Sequence, residues 1–407
     1  MTKIAIFTRQ IGPYHDARFR AAYAVCPGVT VVSTASQGWF KEFTSFDRSG
    51  GYPVKTLYNS LPDYDAAIRA DEMRGAVFQA LDEISPDCIA IGGWAAAESA
   101  AALLWAYENG CPCMIMSESQ AFDAKRSRSA EWIKKQIVKL CNAALVGGYT
   151  HKQYMQDLGM ADDLISLGYN AVDNEHFKTH AAAARQNADR LRVEFDLPDR
   201  YILASGRFIE KKNFPRLIRA YAEAKKAVPD APSLVILGDG KERAIIEAEI
   251  AATAMQDSVT LAGFRTYEQL PALYALSEGF VHVSFVEQWG LVINEAMSTG
   301  VPVIASQACG AASTVISQGK SGFLVDATKT ASIADGLTKL FQMSPEERKT
   351  MGANAADAIA EWGPDRFGEG FARAISQTLK SSPRGKLWFW QKAMLDNFSK
   401  RIIRDVA

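Results

Sequence analysis

"GFVHVSFVEQWGLVINEAMSTG", residues 279–300, holds the pattern that decides the architecture. A short apolar run, Phe280–Ser284, has the length of a fully buried strand and feeds a loop carrying Glu287. From Leu291 the spacing predicts a helix of about two turns, with Gly300 just past its end and Pro302 opening the next strand region. Gly290 stands at the helix start, where the lack of a side chain lets a ligand reach bare N–H groups. Those amides and the helix dipole suit a diphosphate. Glu287 lies near the same pole. Glu295 sits about a turn and a half inside, leaning back toward the N-terminus. Carboxylates accept hydrogen bonds from hydroxyls, so sugar and ribose are their natural partners. On spacing alone, Glu287 also reads as an acid favouring the dipole and Glu295 as a solvated surface acid.

The same strand-then-helix unit repeats in both directions along the chain. Strands are expected at Lys3–Thr8, Val29–Thr34, Cys88–Gly92, Cys113–Ser117 and Ala144–Gly147 in the first half. In the second half they fall at Tyr201–Ser205, Leu234–Leu237, Val259–Ala262, Phe280–Ser284, Pro302–Ala305 and Phe323–Val325. Such short apolar runs alternating with helices indicate parallel strands covered on both faces. The series occurs twice, so the expected fold is α/β: two Rossmann-like, doubly wound domains facing across a cleft. The expected division is 1–172 and 173–379, with a helix over 380–407 crossing back onto the first domain. "THAAAARQNADRLRVEFDLPDR" reads as a polar connector.

Bulk properties fit this reading. At 407 residues the chain is too long for one core, and 48% hydrophobic with 22% charged residues is a soluble globular composition. A net charge of −1 gives no field to gather nucleic acid. Six cysteines, with Cys111-Pro-Cys113 the closest pair, show no metal-ligand spacing and read as reduced, packed thiols of a cytoplasmic protein. The start "MTKIAIFTRQ" is too short for a signal peptide, and no run approaches a membrane span.

The stretch "E-x-W-G-L-V-x-N-E-A-M", followed by "G-V-P-V-I-A-S", closely resembles the E-x7-E motif of the family 4 retaining glycosyltransferases, which have the GT-B fold. The resemblance implies that Glu295 holds the nucleotide ribose, that Glu287 contacts donor-sugar hydroxyls, and that the backbone of Gly290, Leu291 and Val292 holds the diphosphate. It extends to "YILASGRFIEKKNF", similar to the family's G-R-x-x-x-x-K-G loop, whose cations would here be Arg207 and Lys212. Asn213 replaces the usual glycine, and Lys211 competes with Lys212. Two cations beside a departing diphosphate are a physically sensible stabiliser that needs no metal. "LVILGDGKER", on its own a tight turn, resembles the family's G-D-G loop, which implies that Gly238 borders the nucleotide pocket, and "VTLAGFRTYEQLPALYALSEGF" resembles the segment whose backbone meets the base, implying Gly263, Phe264 and Arg265 there.

The first half carries weaker signals. Gly12 in "RQIGPYHDARF" is where this fold places a glycine loop toward the donor phosphates, and His15 is an acceptor-side candidate or a solvated loop residue. Gly92, Gly93 and Trp94 end another strand. "MIMSESQAFDAKR" offers Ser117, Glu118 and Ser119, then Asp123 and Arg126, where many relatives have a histidine or acid near the anomeric carbon. Glu118 reads as a group orienting the acceptor or as a cap of the next helix. The basic tail with Trp388, Phe389 and Trp390 reads as a helix anchored by its aromatics, or as an interfacial segment on an anionic membrane at its inner face.

Together the resemblance implies a retaining transferase that moves a sugar from a nucleoside-diphosphate donor to a hydroxyl of a glycan or glycolipid, as in polysaccharide or lipopolysaccharide assembly. A UDP-sugar is the first expectation and a GDP-sugar the rival, with no cofactor and no metal. A sugar-nucleotide epimerase and a catalytically silent nucleotide-sugar-binding subunit are the alternatives.

Overall fold

Side chains alternate across each central strand, and both faces are buried, which is why the strands read as unbroken apolar runs. In the first strand Ile4 and Ile6 face one hydrophobic cluster while Ala5 and Phe7 face the other. A computed structural model describes residues 1–38, 50–124, 126–381 and 386–402. Contacts divide it into two units. The first takes in residues up to Ala121, the stretch ending at Ala171, and the described residues from Pro364 onward. The second takes in Phe122–Ala124 and Val172–Gly363.

The first unit is a parallel sheet of β1 (Ile4–Thr8), β2 (Val29–Ala35), β3 (Val54–Tyr58), β4 (Cys88–Gly92), β5 (Cys113–Ser117), β6 (Ala143–Val146) and β7 (Ile165–Leu167). Its order is β3-β2-β1-β4-β5-β6-β7. The second is a parallel sheet of β8 (Tyr201–Ser205), β9 (Ser233–Leu237), β10 (Val259–Gly263), β11 (Phe280–His282), β12 (Val303–Ser306) and β13 (Gly322–Val325), in the order β10-β9-β8-β11-β12-β13. In each sheet the strand order reverses once, between β1 and β4 and between β8 and β11. Ligands of open α/β sheets bind beyond the strand ends at such reversals. This is the doubly wound, two-sheet composition expected of the GT-B fold.

Three features differ from the expectations. The edge strands β3 and β7 were not anticipated. The stretch expected to be a connector forms two helices, Asn174–Gln186 and Ala188–Phe195. The first of these packs on the helix Leu291–Ser298. There Arg185 donates to the Thr299 carbonyl at 2.5 Å, placing a cation at that helix's negative end. The second unit ends at Gly363, ahead of position 379. The helix Pro364–Lys380 packs on Pro13–Val25 and the first sheet, burying Phe367 and Phe371.

The C-terminal helix, Phe389–Ser399, packs on the helix Ala97–Glu108 of the first unit, with ion pairs from Arg74 to Asp396 and Lys392 to Glu108. It buries Gln391, Leu395 and Ser399. The aromatics expected to anchor it, Trp388, Phe389 and Trp390, are exposed instead. Positions 382–385 and 403–407 of that tail lie outside the described residues. All six cysteines are free, and burial pushes the Cys111 thiol up to about 12. No helix among the described residues is long and apolar enough to cross a membrane.

Candidate active site

The second sheet's reversal brings two loops together, because β8 and β11 are hydrogen-bonded neighbours. The loop after β8 carries Arg207 and Lys212, and the loop after β11 carries Glu287. They are tied by backbone, Phe285 N–H donating to the Lys211 carbonyl at 2.8 Å. Asn213 completes the tie. It adopts φ +61, which asparagine tolerates better than most residues, so it can stand where the family pattern has glycine. Its buried amide also donates to Val283 O at 3.0 Å and Ala327 O at 2.9 Å, bonds a glycine lacks.

Of the two adjacent lysines, Lys212 reaches Glu287 and forms an ion pair with it. Both side chains are mostly buried, at 13% and 15% exposed. His282, at the end of β11, puts Nε2 3.5 Å from the same carboxylate oxygen and 3.1 Å from Ser284 Oγ. Burial alone would raise the Glu287 pKa, but the His282 contact and the Lys212 charge outweigh it and hold the carboxyl well below its usual range. Burial, with the charge of Lys212, lowers His282 and keeps it neutral near pH 7. Arg207 is exposed and has no ion pair among the described residues. The site thus presents one cation paired to a fixed carboxylate and, on the same loop as that cation, an exposed arginine.

The helix Leu291–Ser298 follows directly. Gly290 caps it with φ +97 and ψ +66, a left-handed conformation that side chains disfavour. A Cβ there would lie 3.4 Å from Glu287 Cγ and 3.8 Å from His282 Nε2. Gly290 therefore keeps the approach to the Leu291 and Val292 amides open, and the first amides of a helix have no intrahelical acceptor. Inside the helix Glu295 is 1% exposed and accepts from the Tyr274 hydroxyl at 2.7 Å. That excludes the reading of Glu295 as a solvated surface acid. Trp289, also buried, donates from Nε1 to Asn294 Oδ1 at 2.8 Å and pins the loop to the helix.

On the other side of β8, Gly238 N–H donates to Gly263 O at 2.8 Å, joining the ends of β9 and β10. A Cβ on Gly238 would fall 2.0 Å from Gly206 O, so the close approach of these loops requires glycine. Phe264 beyond β10 is 55% exposed. Arg265 turns toward Phe195, its Nη2 3.5 Å from that carbonyl.

In the first unit, Gly12 caps the helix Pro13–Val25 in extended backbone, not in the left-handed region. His15 lies in that helix's first turn, and burial with the Arg18 charge holds it well below its usual pKa. Gly92 ends β4, and Gly93 N–H bonds Met116 O at 2.8 Å. Trp94 meets Tyr154 edge-on, with Lys134 Nζ 5.4 Å from its ring centre. Ser117 ends β5, and its Oγ accepts from Ser119 N–H at 3.2 Å. Glu118 accepts from Asn170 Nδ2 at 2.9 Å and is not a helix cap: Ser127 caps the next helix. Arg126 is committed to its own loop, bonding Gln120 and Ala121 carbonyls and stacking on Tyr154. Asp123 belongs to the three-residue segment that clusters with the second unit.

Sequence reasoning passed over His282 and Tyr274, which hold the two glutamates. The signal for His282 was a lone polar ring in the apolar run "GFVHVS". Also unanticipated was Glu98, buried, accepting from the Tyr64 hydroxyl at 2.7 Å and ion-paired with Arg9 at 3.7 Å.

Residues 186–358 match the family described as "Glycosyl transferases group 1". Alpha-D-kanosaminyltransferase of Streptomyces kanamyceticus is 32% identical over 230 residues, 56% of this chain and 58% of that protein. A GDP-mannose-dependent alpha-(1-6)-phosphatidylinositol monomannoside mannosyltransferase of Mycobacterium tuberculosis is 29% identical over 226 residues, 53% and 57% of the two chains. The chain thus matches little more than half the length of these relatives. The structure of HepE from Anabaena, solved with UDP and glucose, superposes with a TM-score of 0.72 at 18% identity, covering 92% of this chain and 100% of that one. At that identity the likeness concerns the fold.

Proposed function

We propose that the chain, whose residues 186–358 match the group 1 glycosyl transferases, is a retaining member of that family and transfers a sugar from a nucleoside-diphosphate donor to a hydroxyl of a glycan or glycolipid. One observation supports the reading: Glu287, held ionised by Lys212 and His282, lies in the loop that enters a glycine-capped helix, and Glu295 is buried within that same helix. In this proposal Glu295 accepts from the ribose and Glu287 from hydroxyls of the donor sugar. The amides of Gly290, Leu291 and Val292 take the diphosphate. Arg207 and Lys212 stabilise the charge that develops on it as the glycosidic bond breaks. Phe264 stacks on the base, bordered by Gly238 and Gly263. Because the cations and amides supply this stabilisation, we propose that the reaction needs no metal.

Retention follows, in the family's manner, if the departing phosphate oxygen accepts the proton of a hydroxyl attacking the same face. Glu118, His15, Trp94, Asp123 and Arg126 are the proposed acceptor-side groups and Gly12 a backbone contact. Arg126 is the weakest of these, since its guanidinium already serves its own loop. The donor is proposed to be a UDP-sugar, with a GDP-sugar, named for the mycobacterial relative, as the rival. Polysaccharide or lipopolysaccharide assembly is the proposed setting.

The test is incubation with UDP-, GDP- and ADP-sugars, with and without chelator, following nucleotide release and anomeric configuration by NMR. Release of one nucleotide with retained configuration and no effect of chelator is expected. An epimerised donor would replace this proposal with an epimerase, and no turnover of any donor would leave a binding subunit.

A further inference from the structure

Two segments distant in sequence build an exposed aromatic face on the first unit. Trp388 and Phe389 are 72% and 90% exposed, although the helix they begin is packed on its other side. Trp390 meets Trp132 with ring centres 5.4 Å apart, and Trp132 is itself 52% exposed. Trp132 lies on the helix Arg128–Leu140, whose inner face buries Ile137, Val138 and Leu140. Its outer face presents Arg128, Trp132, Lys135 and Lys139, all exposed and spaced so that they share one narrow stripe. Carboxylates of the two segments are engaged elsewhere: Glu131 by Lys134 and Tyr154, Asp396 by Arg74 and Lys400.

Large aromatics left in water cost free energy unless something covers them. Charge decides what. A basic stripe beside indole and phenyl rings matches the headgroup region of an anionic bilayer, where amphipathic rings settle and lysines meet lipid phosphates. We propose that this face docks the protein peripherally on an anionic membrane surface, with Trp388, Phe389 and Trp132 entering the interface and Arg128, Lys135 and Lys139 supplying the attraction. Neither segment contains the donor-site residues, so docking and nucleotide binding are separable.

The test uses the full chain and sedimentation with vesicles of phosphatidylcholine alone or with about a third phosphatidylglycerol. Binding is expected only to the mixed vesicles, weakening steeply with salt and accompanied by a blue shift of tryptophan emission. Trp388→Ser with Phe389→Ser should weaken it about tenfold or more. Arg128→Gln with Lys135→Gln and Lys139→Gln should remove most of the salt dependence. All these positions are exposed, and an unchanged melting curve and circular dichroism spectrum will certify folded variants. Equal binding to both vesicle types, no response to either variant set, or a dimer that the aromatic variant dissolves without any vesicle binding would overturn the proposal.

Discussion

Replacing Lys212 with methionine isolates the electrostatic core of the site. The lysine and Glu287 are both mostly buried, so the substitution leaves a carboxylate in low-dielectric surroundings without its ammonium partner and beside a neutral His282. Removing one partner of a buried pair costs about 3–5 kcal/mol, and residual exposure places this case near 3 kcal/mol. For a unit of this size that is a fall of roughly 6–12 °C in melting temperature, read by calorimetry. With Lys212 gone, the charge that lowers His282 is also gone, so its imidazole should become more basic, visible by NMR titration. Glu287→Gln on top of Lys212→Met should restore about half of the lost stability or more, because no charge is then left stranded. A double variant whose loss equals the sum of the single losses would refute the coupling argued here. Function should divide as well. Lys212→Met should weaken nucleoside-diphosphate binding, whereas Glu287→Gln should leave it near wild type and slow turnover of the sugar donor.

Other consequences concern pH and backbone. Unfolded carboxyls titrate near pH 4.3 (approximately) and unfolded imidazoles near about 6.5, and both Glu287 and His282 are lowered in the fold. The unfolded state therefore binds protons first as pH falls, so stability should decline below about pH 6.5 through His282 and again below about pH 5 through Glu287. Melting curves of His282→Gln and Glu287→Gln should each lose the corresponding step, and unchanged curves would contradict the assignment. Gly290→Ala forces a left-handed alanine at φ +97, costing about 1–2 kcal/mol, and should weaken nucleotide binding measured by calorimetric titration. Asn213→Ala should be less stable than Asn213→Gly by about 1 kcal/mol in denaturant titration, since both lose the amide bonds but only alanine is strained at φ +61. Equal losses would assign Asn213 to its hydrogen bonds alone.

The central strands were legible because each is covered on both faces and reads as a continuous apolar run. The edge strands were not. β3, "VKTLY", is half-exposed and carries Lys55 and Thr56, while β7, "ISL", is three residues long; neither has the pattern of a buried strand. The helix Asn174–Gln186 was hidden because it buries only Phe177, Ala181 and Ala184 and otherwise looks like a polar linker. At the site, Glu287, Glu295 and Lys212 were singled out by the resemblance to the family's motifs, since spacing alone left the acids with surface readings and the lysine with a solvated one. Tyr274 and His282 were not: Tyr274 reaches Glu295 from a separate helix, Leu270–Ala275, that packs on the helix Leu291–Ser298, and His282 sits in an apolar run that reads as plain buried strand. The exposure of Trp388 and Phe389 was likewise invisible: an aromatic run looks the same whether it packs or waits for a partner.

The central claim is that a nucleoside diphosphate binds the second unit with its ribose on Glu295. Titration calorimetry of UDP, GDP and ADP against wild type and Glu295→Gln tests it directly. The account predicts that one nucleotide binds the wild type and that the variant, still folded, loses about tenfold or more of that affinity by giving up hydrogen bonds to a charged acceptor. Equal affinity in the two proteins would contradict it, as would the absence of binding by any nucleotide.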